Sequence, residues 1–395
     1  MRLTAPDSQQ NELSADGRKP TTDNQRIRRA LLRWFRLRAR RLPWRRTRSA
    51  YAVWVSEVML QQTQVSTVIP YYRRFLRAFP TTKRLAELPL ERVLELWSGL
   101  GYYRRARSLH LAAQKILREF GGRFPSDYTQ ARSLPGIGDY TARAILSIAY
   151  NRPYAVVDGN VARVAARLGA IKGNVNQPRF RRAVERAVEG LLSRRSPGDF
   201  NQALMELGQT VCVPRAPRCA VCPLGKWCQA YRQGKPESYP APRPRRATEL
   251  RYLATAVVRS VPAISQEGGG RVALMRGLDE GLLGDLWNFP AAFGISRAEA
   301  FGRLREKLDR IAPGVALGEQ RDGLGAAPAP LRQLRHGITH RSIRVDLYSA
   351  EVPDGVPVGP LRWFPLASLD RAAVSQLARK IAAAARAGAS AVCTS

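Results

Sequence analysis

Apolar residues recur at three- and four-residue spacing in five stretches of the chain's first half: Tyr51–Val68, Leu85–Leu100, Leu109–Phe120, Thr141–Ala149 and Val161–Leu168. That spacing lines one face of a 3.6-residue helix, and Pro or Gly punctuates the gaps, so residues 25–231 are predicted to be an all-α domain. Beyond residue 250 the pattern changes. Short β-like runs at Tyr252–Val258, Val272–Met275 and Ile343–Tyr348 stand among Gly/Pro-rich turns and one amphipathic helical stretch, Ser296–Ile311. They predict a compact α+β module over 250–385. Between the two regions, 232–249 sets Pro236, Pro240, Pro242 and Pro244 among Lys and Arg, the composition of an extended linker. Residues 1–24 are polar and aperiodic and read as a disordered leader, and 386–395 as a tail. No internal repeat is visible.

The 395 residues suffice for two or three domains, and a 45% hydrophobic content supports packed cores. Against 31 acidic residues stand 65 Lys and Arg, a formal net charge of +34. Such a surplus favours a polyanionic partner, nucleic acid first, although an Arg-rich genome would also spread Arg along the whole chain. No apolar stretch approaches the roughly 18–20 residues needed to span a bilayer, and the N-terminus lacks the apolar core of a signal peptide. The expectation is a soluble intracellular protein, monomeric and without membrane partners.

Four of the five cysteines, Cys212, Cys219, Cys222 and Cys228, crowd into one short loop with C-x6-C-x2-C-x5-C spacing, and Cys393 is left near the tail. In a reducing compartment this clustering reads as metal ligation. Ligand type alone allows tetrahedral zinc or a [4Fe–4S] cluster. The run Leu134-Pro135-Gly136-Ile137-Gly138 precedes a predicted helix. Its glycines permit a tight turn whose amides, with the helix N-terminus, can hold a phosphate; an ordinary turn between two helices would look similar. Twenty residues on, Val156-Val157-Asp158-Gly159-Asn160 leads into another helix. Glu57 sits among apolar neighbours, and with Gln61 and Gln64 at i, i+4 and i+7 it makes a polar stripe suited to lining a pocket. A lone Glu at such a place is otherwise a solvated or paired residue.

From Leu42-Pro43-Trp44-Arg45 to the four cysteines, through Gly99-Leu100-Gly101-Tyr102-Tyr103 and Phe200-Asn201-Gln202-Ala203-Leu204, about half the chain resembles the catalytic core of the MutY family of adenine DNA glycosylases. The resemblance implies a multidomain α and α+β protein: a helix-hairpin-helix glycosylase core with a [4Fe–4S] loop, then a linker and a Nudix-like domain. It implies a monofunctional glycosylase of base excision repair, cytoplasmic and nucleoid-associated in a bacterium. The substrate would be double-stranded DNA carrying adenine opposite 8-oxoguanine or guanine. Glu57 would protonate adenine N7, Asp158 would stabilise the sugar cation, and Tyr140 and Asn160 would hydrogen-bond these groups. Leu42, Trp44, Arg45 and Gln202 match the adenine pocket. Gln62, Thr63, Leu100 and Tyr102 match residues that enter the duplex, while Gly136 and Gly138 form the phosphate-binding turn.

Bifunctional endonuclease III-like relatives place a Schiff-base Lys where this chain has Tyr140, and no Lys lies between Lys115 and Lys172. That disfavours an oxidised-pyrimidine glycosylase/lyase, and the intact Glu57 and Asp158 disfavour a catalytically silent DNA-binding scaffold. In the C-terminal region Gly284-Asp285-Leu286-Trp287-Asn288-Phe289-Pro290 is typical of the family's Nudix-like domain. The helix Arg303–Arg310 lacks the acidic pattern of a Nudix hydrolase. His336-Gly337-Ile338-Thr339-His340 matches the loop that recognises 8-oxoguanine, with Ile338 and Thr339 in place of Phe and Ser; His336 and His340 could equally be strand-edge residues.

Overall fold

A computed structural model of the chain describes residues 22–242, 248–261, 270–279, 284, 286–313, 315, 317, 328–338, 341–353 and 358–389. The leader through residue 21, Asp285, Thr339, His340 and Cys393 lie outside the described residues. Contacts divide the chain into two compact units, residues 1–87 with 108–244, and 88–107 with 245–395. The helices, in chain order, are α1 (Thr22–Arg38), α2 (Ala50–Leu60), α3 (Val65–Ala78), α4 (Thr82–Glu87), α5 (Leu90–Trp97), α6 (Arg104–Phe120), α7 (Tyr128–Arg132), α8 (Asp139–Tyr150), α9 (Gly159–Leu168), α10 (Pro178–Leu191), α11 (Pro197–Thr210), α12 (Gln229–Arg232), α13 (Arg297–Ile311) and α14 (Gln376–Ala389). Among the described residues no helix is long and apolar enough to cross a membrane.

The first unit is all-α. One layer of its core buries Leu31, Val161, Phe180, Val188, Phe200 and Leu207 between α1, α9, α10 and α11. Helix α2 is different in kind, because Tyr51 through Met59 are buried without a break. A helix that is apolar all round is an interior helix, and α2 packs on α8 and α3. The periodic run predicted over Tyr51–Val68 is therefore two helices. The chain leaves α2 at Gln61, adopts the left-handed region at Gln62 (φ 56°), and restarts as α3 after Gln64. Glu57, Gln61 and Gln64 thus do not form a stripe on one helix. The run Leu85–Leu100 is likewise interrupted, between α4 and α5. Helix α1 begins at Thr22, inside the span read as leader, and a 3₁₀ turn, Pro236–Ser238, stands within the span read as linker.

The second unit is α+β. Strand β1 (Glu249–Val261) runs parallel to β6 (Arg341–Pro353), which forms an antiparallel pair with β5 (Arg332–Ile338). On its other side β1 pairs antiparallel with β2 (Arg271–Arg276) and β4 (Ala291–Gly294); β2 also meets β3 (Trp287–Asn288) and β7 (Arg362–Pro365). Helix α13, capped by the Ser296 side chain on Glu299 N, buries Ala300, Leu304 and Leu308 against this sheet. The segment 88–107 belongs here rather than to a contiguous domain over 25–231. Glu91 Oε1 accepts from Arg276 Nη2 at 3.0 Å and from the Trp287 indole at 3.2 Å, and Ser98 Oγ donates to Val374 O at 2.9 Å. These partners are close in space and nearly 200 or more residues away in sequence.

Between α7 and α8, Leu134–Gly138 makes the tight turn its sequence predicts. Gly136 has φ +75°, and a Cβ there would lie 2.5 Å from Ser108 Cβ, so neither conformation nor space admits a side chain. Gly138 is the N-cap of α8 at φ −82°, where a Cβ would meet nothing within 4 Å. Gly136→Ala is expected to destabilise the protein by roughly 1–3 kcal/mol, and Gly138→Ala, which meets no clash but puts Ala at an N-cap, by less, roughly 0.5–1 kcal/mol. Denaturation midpoints of the two variants check this, and equal losses would contradict it.

Candidate active site

Two carboxyl groups face one cavity from opposite kinds of surroundings. Glu57 is buried on α2, away from the water that would stabilise its charge. Burial, reinforced by the negative charge of Asp158, pushes its pKa up to about 7 against the opposing pull of a Tyr140 hydrogen bond and the Arg45 charge. Asp158 is instead the N-cap of α9. Its Oδ1 accepts from Val161 N at 2.7 Å and its Oδ2 from Asn160 Nδ2 at 2.9 Å. Two N–H donors and the positive end of the helix suit a carboxylate.

The segment leading to Asp158 is fixed by Asn201 of α11, itself fully buried. Its Nδ2 donates to Ser147 Oγ at 2.9 Å and Tyr154 O at 2.8 Å, and its Oδ1 accepts from Val156 N at 3.2 Å. Tyr140 rises from the first turn of α8; its hydroxyl bonds Glu57 and donates to Met205 Sδ at 3.4 Å, and burial drives its phenol pKa well above the usual value. Gln61, the last residue before the chain turns, donates from Nε2 to Thr141 Oγ1 at 3.3 Å and ties α2 to α8.

Glu57, Tyr140, Asp158 and Asn160 line this cavity together with Gln62 and Thr63. An adjoining cavity is lined by Leu42, Trp44, Arg45, Gln202 and again Glu57. Glu57 therefore stands where the two meet. Trp44 is wedged edge-on against Tyr72 with ring centroids 5.4 Å apart, and Gln202 Nε2 donates to Gly198 O at 3.3 Å. Leu100 and Tyr102 belong to the second unit. Leu100 is buried there, whereas Tyr102 is 48% exposed, at φ 50°, with the Arg105 guanidinium 5.3 Å from its ring. His336 lies on β5 with a buried Nδ1 that has no hydrogen-bond partner among the described residues.

Sequence reasoning missed the residues that support these groups. Arg163, one turn into α9, donates to Asn160 Oδ1 at 2.9 Å, Gly208 O at 2.7 Å and Cys212 O at 2.9 Å. Gly208 lets α11 approach, since a Cβ there would lie 2.7 Å from Asn160 Cβ. Glu206 and Arg40, beside Arg45, were also unmarked. A buried polar residue on an amphipathic helix has no local signature when its partners come from another helix.

Cys212, Cys219, Cys222 and Cys228 line one cavity with Arg167 and Tyr231. Burial raises the pKa values of three of these thiols, Cys222 to about 12, and the charges of neighbouring cysteines add to the rise. Among the described residues no three Cys, His, Asp or Glu side chains gather as the ligands of a single metal ion. Arg167, 2% exposed, has no carboxylate partner there. It donates to Cys212 Sγ at 3.4 Å and to the carbonyls of Val213, Pro214 and Tyr239. A buried cation calls for a nearby negative charge, and sulfur anions in this cavity would supply it.

The HhH-GPD superfamily of base excision DNA repair proteins matches residues 55–190, a span that contains Glu57, the Gly136–Gly138 turn, Tyr140, Asp158 and Asn160, and a NUDIX domain matches residues 261–384. The chain is 36% identical to the adenine DNA glycosylase of Mus musculus over 89% of this chain and 76% of that protein. It is 33% identical to the Homo sapiens adenine DNA glycosylase over 89% of this chain and 72% of that protein. To the adenine DNA glycosylase of a Buchnera aphidicola strain it is 40% identical over 53% of this chain and 60% of that protein. With this likeness running through both units and across both carboxyl groups, the chain belongs to the adenine DNA glycosylase family, enzymes of base excision DNA repair.

Proposed function

We propose that this enzyme removes adenine mispaired with 8-oxoguanine, or with guanine, from double-stranded DNA and leaves an abasic site without cutting the strand. The observation that carries the reading is the pair of carboxyl groups in one cavity, one kept dry and one held by N–H donors. With adenine turned out of the duplex into the cavity of Leu42, Trp44, Arg45 and Gln202, Glu57 delivers its proton to N7. The C1′–N9 bond breaks and its electron pair goes to the departing base. Asp158 stabilises the oxocarbenium-like sugar, and water then adds to C1′ and gives up a proton. Tyr140 holds Glu57 by a hydrogen bond and, having no amine, cannot form the imine of a lyase.

Gln62, Thr63 and Tyr102 are read as contacts to the strand opposite the adenine. The left-handed backbone at Gln62 and Tyr102 is the sort of strain that accumulates where side chains are presented to a ligand. Leu100 would have to leave its packing to join them. The turn at Gly136 and Gly138 would hold a phosphate, and Thr339 with His340 would read 8-oxoguanine. The net charge of +34 favours a polyanionic partner such as chromosomal DNA.

The four cysteines fit a [4Fe–4S] cluster: their side chains line one cavity, and Arg167 supplies buried positive charge beside them. When bound, the cluster supplies structural cross-linking of the loop. Purified protein is expected to be yellow-brown and to contain iron and acid-labile sulfide; one zinc per chain and no iron would overturn the assignment.

Single-turnover base release from duplexes containing 8-oxoguanine·adenine, guanine·adenine and thymine glycol, read as strand breaks with and without alkali, tests the substrate. Because the acid form of Glu57 is the active one and its pKa is about 7, adenine release should be fast below that pH and fall as pH rises through it. Glu57→Gln should slow release by about 10²-fold or more while mismatch binding persists. Wild-type rates from Glu57→Gln would remove Glu57 from the mechanism.

A further inference from the structure

Helix α11 buries a carboxylate beside the adenine pocket that none of the chemistry above uses. Glu206 is 1% exposed. Its Oε1 accepts from Arg40 Nε at 2.8 Å and Arg40 N at 3.1 Å, and its Oε2 from Arg40 Nη2 at 2.7 Å and Arg45 Nη2 at 2.9 Å. One carboxylate thus holds two guanidinium groups. Arg45 is fixed further by donation from Nη1 to Arg40 O at 3.1 Å and by the Phe35 ring, 5.1 Å from its guanidinium carbon. Among the described residues its buried Nε has no hydrogen-bond partner, and its side chain lines the cavity that Glu57 also lines.

We propose that Glu206 is a positioning residue: it holds the Arg45 guanidinium at the pocket wall and balances its charge, so that the neighbouring Glu57 keeps its proton. A bare guanidinium beside a buried acid favours the ionised form of that acid and would spoil it as a proton donor near neutrality. The titratable groups facing Glu57 are Tyr140 from α8, Asp158 at the head of α9 and Arg45 from the 3₁₀ turn Pro43–Arg45. Helix α11 contributes Glu206 through Arg45, and Arg40 pairs with it from the segment after α1. Glu206 itself stays ionised. Burial works against its charge, but the hydrogen bonds and charges of Arg40 and Arg45 outweigh burial and hold its pKa below the usual carboxylate range.

The inference rests on Glu57 being the acid, and the test separates the two. Single-turnover adenine release is measured across pH for wild type, E57Q, E206Q, E206D, R45Q and E206Q/R45Q. E206Q removes a negative charge next to Arg45, so the alkaline limb should move to lower pH by roughly one unit, about a tenfold loss of rate on that limb. E206D, which keeps the charge, should restore the limb, and E206Q/R45Q should return it toward the wild-type position. R45Q alone has the opposite sign and should move the limb to higher pH, a readout that stands even if E206Q does not fold. A uniform loss of rate in E206Q with the limb unmoved would mean that Glu206 serves packing only and would overturn the proposal. An alkaline limb that persists unchanged in E57Q would instead overturn the reading of Glu57, whatever the Glu206 variants do.

Discussion

A carboxyl group on an entirely buried helix sets the terms for the rest of the site. Removing an ionised carboxylate from water costs far more than a fold of ordinary stability can spare, so Glu57 answers by holding its proton up to about pH 7. The surrounding helices are arranged so that this compromise is neither relieved nor wasted. Helix α8 brings Tyr140 to hydrogen-bond the group, which ties the acid in place at the expense of part of its pKa rise. Asp158 adds a negative charge nearby that is itself satisfied by backbone and amide donors. Two carboxyl groups at one cavity thus meet opposite surroundings, one desolvated and one held by N–H donors.

Much of this was legible because it is local. The L-P-G-x-G turn reports a backbone conformation, and Gly136 occupies it with a positive φ and no room for a Cβ. Asp158 before Gly159 and Asn160 reads as an N-cap, and its side chain bonds the third amide onward. The cysteine spacing keeps four thiols in one loop, and they surround one cavity. The polar stripe Glu57, Gln61, Gln64 misled, because the break falls in the polar run Gln61-Gln62-Thr63-Gln64, where neither Pro nor Gly marks a turn. The left-handed turn at Gln62 is made by a residue that rarely adopts it, so residue type gave no warning. All three side chains still line the same cavity, but from a helix, a cap and a restart.

The division of the chain was the least legible feature. A proline-rich stretch marks the composition change near residue 240, and the division between the two compact units falls close by. Nothing in the periodicity of 88–107 says that it packs with strands some 200 residues later. The Glu91 ion pair with Arg276, whose guanidinium also lies 4.3 Å from the centre of the Trp287 ring, joins residues whose local sequences are unremarkable. Long-range pairs of this kind are fixed by topology, which one sequence without relatives does not encode locally.

Helix α9 links the cysteine loop mechanically to the cavity of Glu57 and Asp158. The start of the helix lines that cavity: Asp158 caps it, and Asn160 holds the Asp158 carboxylate. One turn on, Arg163 grips Asn160 and the Cys212 carbonyl together; a further turn on, Arg167 grips Cys212 Sγ and the two carbonyls that follow it. Guanidinium groups suit this work because their planar fork fixes several acceptors at once and keeps its charge when buried. Disordering the loop would leave Arg167 with a desolvated charge and few acceptors, and would free Arg163 to rotate away from Asn160. A change in the loop would then reach Asp158 through a rigid helix and one amide, with no electron transferred.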